Sequence, residues 1–399
     1  MLLKITPFIL LCASGLLAIF SSTISKSPVL PLFTSYLGAG PAGVGIIAGV
    51  SAFTGIIASI PAGIFSDRLG RKRMLMFSAL VFSTAPFLYL FVTALWQLAL
   101  VRFYHGFATA IFIPVSMALV ADIFREQRGE KMGWFSTSTL AGRFMAPLVS
   151  GIILGAMTFN PGLGFKVVYL VCGIAGILTL LLLVILPDPN KEIRSKPLEK
   201  ENIGPLKAVL SDRNILITCI VEASILFAYG TFETFLPLYS KDIGLTAYEI
   251  GIFLSAQIIT LALSKPVMGR FSDRHGRRPQ IFIGSIIGSL CIGSFFFFKS
   301  FTALLLLSIS FGLCLSIVTS ATSAFIADLS RRSTRGSAMG TLGSIMDIGH
   351  TTGPIAAGIV ASHLGMGYSF IGASLVLVSM AFLFLAGVMV GSTTPRSFS

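Results

Sequence analysis

Among the charged and titratable residues inside otherwise apolar stretches, nine stand out: Lys26, Arg102, His105, Arg143, Glu222, Glu233, Lys265, Asp347 and His350. A charge in apolar surroundings is costly, so each is a functional suspect. Their chemistry is proton uptake and release by carboxylate or imidazole, and ion pairing by Lys and Arg. Glu222, about two turns into its apolar stretch, is the first candidate to carry a proton. Asp347 and His350 are spaced i, i+3 on one helix face, where they can share one. Lys26 and Glu233 lie one residue apart in the register of an internal repeat, which suits an ion pair as well as substrate contact. Arg143 is expected to meet an acid across a cavity, and Lys265, one turn before Gly269, to snorkel to a surface. No nucleophile, base and orienting group fall into place, and no metal-ligand spacing appears. The five cysteines lie inside apolar stretches without CxxC spacing. An enzyme, a metal site and a cofactor are therefore not expected.

A second constellation occurs twice. Gly63-Ile64-Phe65-Ser66-Asp67-Arg68-Leu69-Gly70-Arg71-Lys72 returns as Gly269-Arg270-Phe271-Ser272-Asp273-Arg274-His275-Gly276-Arg277-Arg278, 206 residues later. Leu30-Pro31, Gly106 and Ala121-Asp122 match Leu236-Pro237, Gly312 and Ala327-Asp328 at the same offset, and Gly142 and Pro147 match Gly349 and Pro354 at 207. A period of half the chain indicates a duplicated unit. Asp67 and Asp273 are placed to accept from amides at a helix start, and Gly63 and Gly269 to let a neighbouring helix approach. Arg71 and Arg277 need acids, for which Asp122 and Asp328 are the candidates. Pairs of this kind, made and broken, form a bistable element.

The elements that position these residues follow from composition. With 54% hydrophobic and 11% charged residues, the chain is too apolar for a soluble globule. Apolar runs long enough to cross a bilayer as helix recur at about 6–26, 43–64, 74–93, 97–120, 133–155, 167–186, 213–238, 248–268, 280–298, 301–326, 337–360 and 367–390. They predict an all-α membrane protein of twelve transmembrane helices in two pseudo-symmetric six-helix bundles: 1–186, a cytoplasmic linker at 187–212 with a short surface helix near 204–211, and 213–399. Of 29 Lys and Arg, 22 fall in the termini and even-numbered loops. By the positive-inside rule both termini are cytoplasmic, and the net charge of +13 needs no nucleic-acid partner. The first apolar run is expected to be retained as a span rather than cleaved as a leader. Gly38-Ala39-Gly40-Pro41-Ala42-Gly43 spells a dinucleotide fingerprint but lies between two membrane helices, so it reads as a turn.

The doubled loop, between spans two and three and again between eight and nine, resembles the G-x-x-x-D-R-x-G-R-[RK] signature of the major facilitator superfamily. The twelve spans, the linker and the repeat resemble that family along essentially the whole chain. The resemblance implies a conformational switch at Gly63, Asp67, Arg68, Gly70, Arg71 and Asp122, and at Gly269, Asp273, Arg274, Gly276, Arg277 and Asp328. Gly142, Pro147 and Gly151, with Gly349, Gly353, Pro354 and Gly358, are similar to the antiporter motif G-x-x-x-G-P-x-x-G-G, with Ala146, Ser150 and Ala357 in place of glycines. Arg102-Phe103-Tyr104-His105-Gly106 is similar to R-x-x-Q-G of proton-coupled members, with His105 for Gln; Ser308 stands at the repeat position of Arg102.

Within the superfamily the chain looks most like the drug:proton antiporter (multidrug efflux) branch. That implies proton-coupled efflux of a small organic molecule or drug by alternating access, from a monomer in a bacterial or archaeal inner membrane. Lys26, where that branch often carries an acid, makes neutral or anionic substrates plausible. An importer of a small metabolite shares the fold, and a non-transporting sensor or scaffold would keep the helices; both stay open at this point.

Overall fold

The structure is a computed structural model of the chain and describes residues 2–124, 127–187, 212–330 and 335–390. Among them are thirteen α-helices and no strand: α1 (Leu2–Ile24), α2 (Val29–Tyr36), α3 (Pro41–Leu69), α4 (Arg71–Leu88), α5 (Leu95–Ile123), α6 (Arg128–Ala156), α7 (Pro161–Ile185), α8 (Arg213–Asp242), α9 (Ala247–His275), α10 (Arg277–Ser294), α11 (Phe301–Leu329), α12 (Arg335–Leu364) and α13 (Met366–Phe384). The expected linker and its short helix lie, from 188 to 211, outside the described residues.

Among the described residues ten spans are long and apolar enough to cross a membrane, α1 and α2 counting as one run from Pro7 to Tyr36. The expected ninth and eleventh positions are filled by α10, which opens on Arg277 and Arg278, and by α12, which carries Asp347 and His350. Their outer faces suit a hydrocarbon solvent. Along α7, Leu170, Ile174, Leu181 and Ile185 are exposed, and along α13, Leu375, Phe382 and Leu383. Rows of exposed large apolar side chains of this kind mark contact with lipid or partner rather than water.

Two expectations need correction. The first span does not end near residue 26; the helix breaks after Ile24 and resumes at Val29. Pro28 has no N–H for a continuing helix and disfavours helical geometry in the residue before it. The expected loop around residues 65–73 is also almost wholly helical. A single residue, Gly70, separates α3 from α4, and Gly276 separates α9 from α10. Their φ values of 97° and 91° lie where a side chain is strained, which explains why both copies place glycine there.

The chain forms two compact units, residues 1–197 with 240–255, and 198–239 with 256–399. The first is cored by Leu75, Phe82, Ala108, Phe112, Leu119 and Phe135, all almost fully buried. In the second, Phe232, Phe295, Phe311 and Phe370 form a chain of ring contacts 5.2–5.5 Å apart. Backbone approach sets the register inside each unit. A Cβ at Gly106 of α5 would press on Thr54 and lie 3.0 Å from the Ser51 carbonyl oxygen, while one at Gly312 of α11 would overlap the carbonyl of Gln257. Both pairs are related by 206 residues, so the sequence repeat is also a packing repeat. Replacing Gly312 by Val is expected to lower the melting temperature of detergent-solubilised protein, since overpacking costs about 1–3 kcal/mol. Gly343→Ala, where a Cβ meets nothing within 4 Å, is expected to leave it unchanged.

Candidate functional site

The two copies of the repeated motif build similar but unequal arginine clusters. Arg71, at the start of α4, reaches Asp122 on α5 with Nε···Oδ2 at 3.1 Å and also donates to the Ser66 hydroxyl. Arg277, at the start of α10, pairs with Asp328 on α11 and, at 2.7 Å, with Asp273 four residues earlier. The expected acids are thus at the expected arginines. Ser66 and Ser272 also accept from these arginines, Ser272 at 3.5 Å. Sequence reading passed over them although they repeat at the same register.

Three roles are revised. Among the described residues no helix approaches Gly63 or Gly269, where a Cβ would meet open space, so close packing is not their function in this arrangement. Asp273 does not cap α10, whose N-cap Gly276 receives no side-chain bond; it holds Arg277 instead. Arg143 is exposed on α6, with no acid of the described residues in ion-pair reach. The side chain of Asp67 lies outside the described residues, and Arg68 and Arg274 are exposed.

Deeper in the first unit, Arg102 is 3% exposed and donates from Nη2 to Ser51 Oγ at 2.7 Å and from Nη1 to Tyr89 Oη at 3.3 Å. The Tyr89 hydroxyl is also 3.3 Å from Nδ1 of His105. Arg102 Nε and His105 Nε2 have no partner among the described residues. In the second unit the positions matching Ser51 and Arg102 hold Gln257 and Ser308, both buried and uncharged.

That unit carries its own carboxylates. Glu222 on α8 is fully buried; Thr322 of α11 donates its hydroxyl to Oε2, and Oε1 has no partner among the described residues. Lys265, about one turn before Gly269 on α9, is exposed. Glu233, about three turns further along α8, meets Nε2 of His350 at 3.2 Å, and the His350 ring stacks on Tyr229 with planes 13° apart. Asp347 is half-buried one turn before His350 and accepts from Thr351 through its backbone carbonyl. Lys26 stands in the break between α1 and α2. Neither Thr322 nor the Glu233–His350 contact was apparent from spacing, because both depend on how α8, α11 and α12 rotate about their axes.

The antiporter-like residues are contact points between backbones. A Cβ at Gly142 would overlap the Leu16 carbonyl on α1, one at Gly349 the Ala223 carbonyl and one at Gly353 the Phe227 carbonyl, both on α8. Gly151 lies against the start of α9, where a Cβ would come within 2.7 Å of the Ala247 carbonyl, and Ser255 donates to the Phe144 carbonyl at 2.9 Å. Pro147 and Pro354 lie within α6 and α12, and Gly358 is buried.

Two arginine clusters at repeat-related positions, each beside a one-glycine turn, agree with what sequence comparison finds. The family model described as Major Facilitator Superfamily matches residues 11–256 and 219–397. The chain belongs to the major facilitator superfamily. An uncharacterised MFS-type transporter of Methanocaldococcus jannaschii is 26% identical over 348 residues, covering 85% of this chain and 87% of the relative. Multidrug resistance protein MdtG of Salmonella paratyphi C is 27% identical over 350 residues, 85% of this chain and 84% of its own length. A bacterial homologue of the human lysosomal transporter Spinster, solved inward-facing and unoccupied, superposes with a TM-score of 0.83 over 98% of this chain and 99% of that one, at 16% identity. This superfamily member is a multi-pass membrane transporter of a small molecule, not an enzyme.

The side chains of the second arginine cluster, at 22% for Arg277 and 54% for Asp328, are open to solvent. A double-mutant cycle of Arg277→Gln and Asp328→Asn, read by thermal unfolding, is therefore expected to give a coupling below about 1 kcal/mol. A coupling of several kcal/mol would show a buried structural pair instead.

Proposed function

We propose that this transporter exports a small organic molecule in exchange for protons, by alternating access. The observation that supports coupling is Glu222. One of its oxygens is held by Thr322 and the other faces no donor among the described residues, so the group changes its bonding when it gains or loses a proton. A carboxyl group that must be protonated when substrate is absent, and ionised or displaced when it is present, links the two fluxes through mutually exclusive occupancy.

Export is supported by the multidrug resistance relatives and by the glycine contacts of the antiporter-like stretches on α6 and α12. The arginine clusters around Arg71, part-buried, and Arg277, more open to solvent, are proposed as latches of the switch, made in one state and broken in the other. Residues 1–186 and 213–399 act as the two moving bundles, with both termini cytoplasmic and the chain working as a monomer in a bacterial or archaeal inner membrane. Arg102 and Lys26 favour neutral or anionic cargo.

The test uses weakly buffered, detergent-solubilised protein and the compound from a diverse panel that most raises its melting temperature. Adding that compound is expected to release protons from the wild type and none from Glu222→Gln. Equal release by both removes Glu222 from the coupling. Asp67→Arg is expected to abolish transport in vesicles while membrane insertion, read by surface labelling, stays normal; full transport by that variant counts against the latch.

A further inference from the structure

At the end of the first unit opposite Gly70, the turns at 37–40, 92–94 and 157–160 surround a cavity of about 480 Å³. Its walls are rings. Phe33 lies 5.1 Å from Phe165 and 5.6 Å from Tyr169, Tyr36 lies 5.4 Å from Phe165, and Tyr89 stacks on Tyr169 with centroids 4.3 Å apart and planes 6° apart. A side chain at Gly162 would press on the Tyr36 hydroxyl, so glycine keeps that wall in place. The charge around the cavity has one sign. Among the described residues Lys166, exposed at the rim, is the one charged residue that lines it, and no carboxylate does. Behind Tyr89 sits the Arg102 guanidinium, buried and, among the described residues, bonded only to neutral groups and with Nε unpartnered. Tyr169, 1% exposed, keeps a hydroxyl with no partner among the described residues.

A buried cation without a counter-ion is unfavourable, and an anion brought near it is correspondingly favoured. Flat aromatic walls add stacking and apolar burial for a planar body. The same rings would suit a cation in isolation, but Lys166 and Arg102 oppose one. We propose that this pocket is a binding site for a small organic anion, an acidic group on an apolar body, with Lys166 meeting the acid and Tyr36, Phe33 and Phe165 enclosing the rest. The acid can belong to a soluble aryl carboxylate or to an anionic lipid headgroup, the chemistry being shared. The site is independent of Glu222 and of the direction of transport.

Isothermal titration calorimetry on the full chain in neutral detergent tests it with three probes: 2-naphthoate, dihexanoyl phosphatidylglycerol and 2-naphthyl-trimethylammonium. At least one of the two anions is expected to bind, and the cation not. Lys166→Gln and Tyr36→Ala are each expected to weaken anion binding by about tenfold or more, the first through loss of a charge-assisted contact and the second through loss of aromatic burial. Both replaced side chains are exposed, and an unchanged melting temperature for each variant separates lost binding from lost fold. Binding of naphthoate identifies a soluble ligand, and binding of the phospholipid alone a lipid site. Failure of both anions to bind, affinity indifferent to the two substitutions, or preference for the cation overturns the proposal.

Discussion

Inside hydrocarbon there is no water to satisfy a polar group, so every charge carried there must be held by the helices around it. Helices can supply partners only where they come close, and here glycine sets that distance. Gly106 brings the backbone at Ser51 beside α5, one turn from Arg102, and the Ser51 hydroxyl is one of the two groups to which that arginine donates. Gly349 and Gly353 seat α12 on α8 at Ala223 and Phe227, between the levels of Glu222 and Glu233, and within that seam His350 reaches Glu233. Larger side chains at these glycines would separate both the helices and the polar contacts they make possible.

Much of this was legible in the sequence. Duplication announced itself because Asp122 and Asp328, and Arg71 and Arg277, keep one offset; since each acid lies 51 residues after its arginine, the pairings could be named before any geometry was known. Apolar runs located the helices, although the ends moved wherever polar residues continued a helix, as with Asp273 and Arg274 in the last turns of α9. What spacing could not supply was rotation about each helix axis. Thr322 looks like any small polar residue in an apolar run until α11 turns it toward Glu222, and Tyr89 like ordinary core until its hydroxyl is found between Arg102 and His105. Arg143 misled for the same reason: a charge in an apolar stretch suggests a buried partner, but its side chain is exposed.

The duplicated frame and the unduplicated charges divide the work. Each unit repeats an arginine cluster beside a one-residue glycine turn, which suits a switch both halves share. Arg102 is answered in the second half by Ser308, and Glu222 is answered in the first half by Leu16. An exchange cycle needs that asymmetry, because a frame alike in both halves has no group that distinguishes proton from cargo.

The central claim is that outward movement of cargo is driven by inward movement of protons. It is tested most directly in everted membrane vesicles, with a compound that stabilises the purified protein as cargo. The account predicts accumulation when the vesicle interior is made acidic and its collapse when nigericin dissipates the pH gradient. Accumulation that survives dissipation of the gradient, or that requires an alkaline interior, would contradict it.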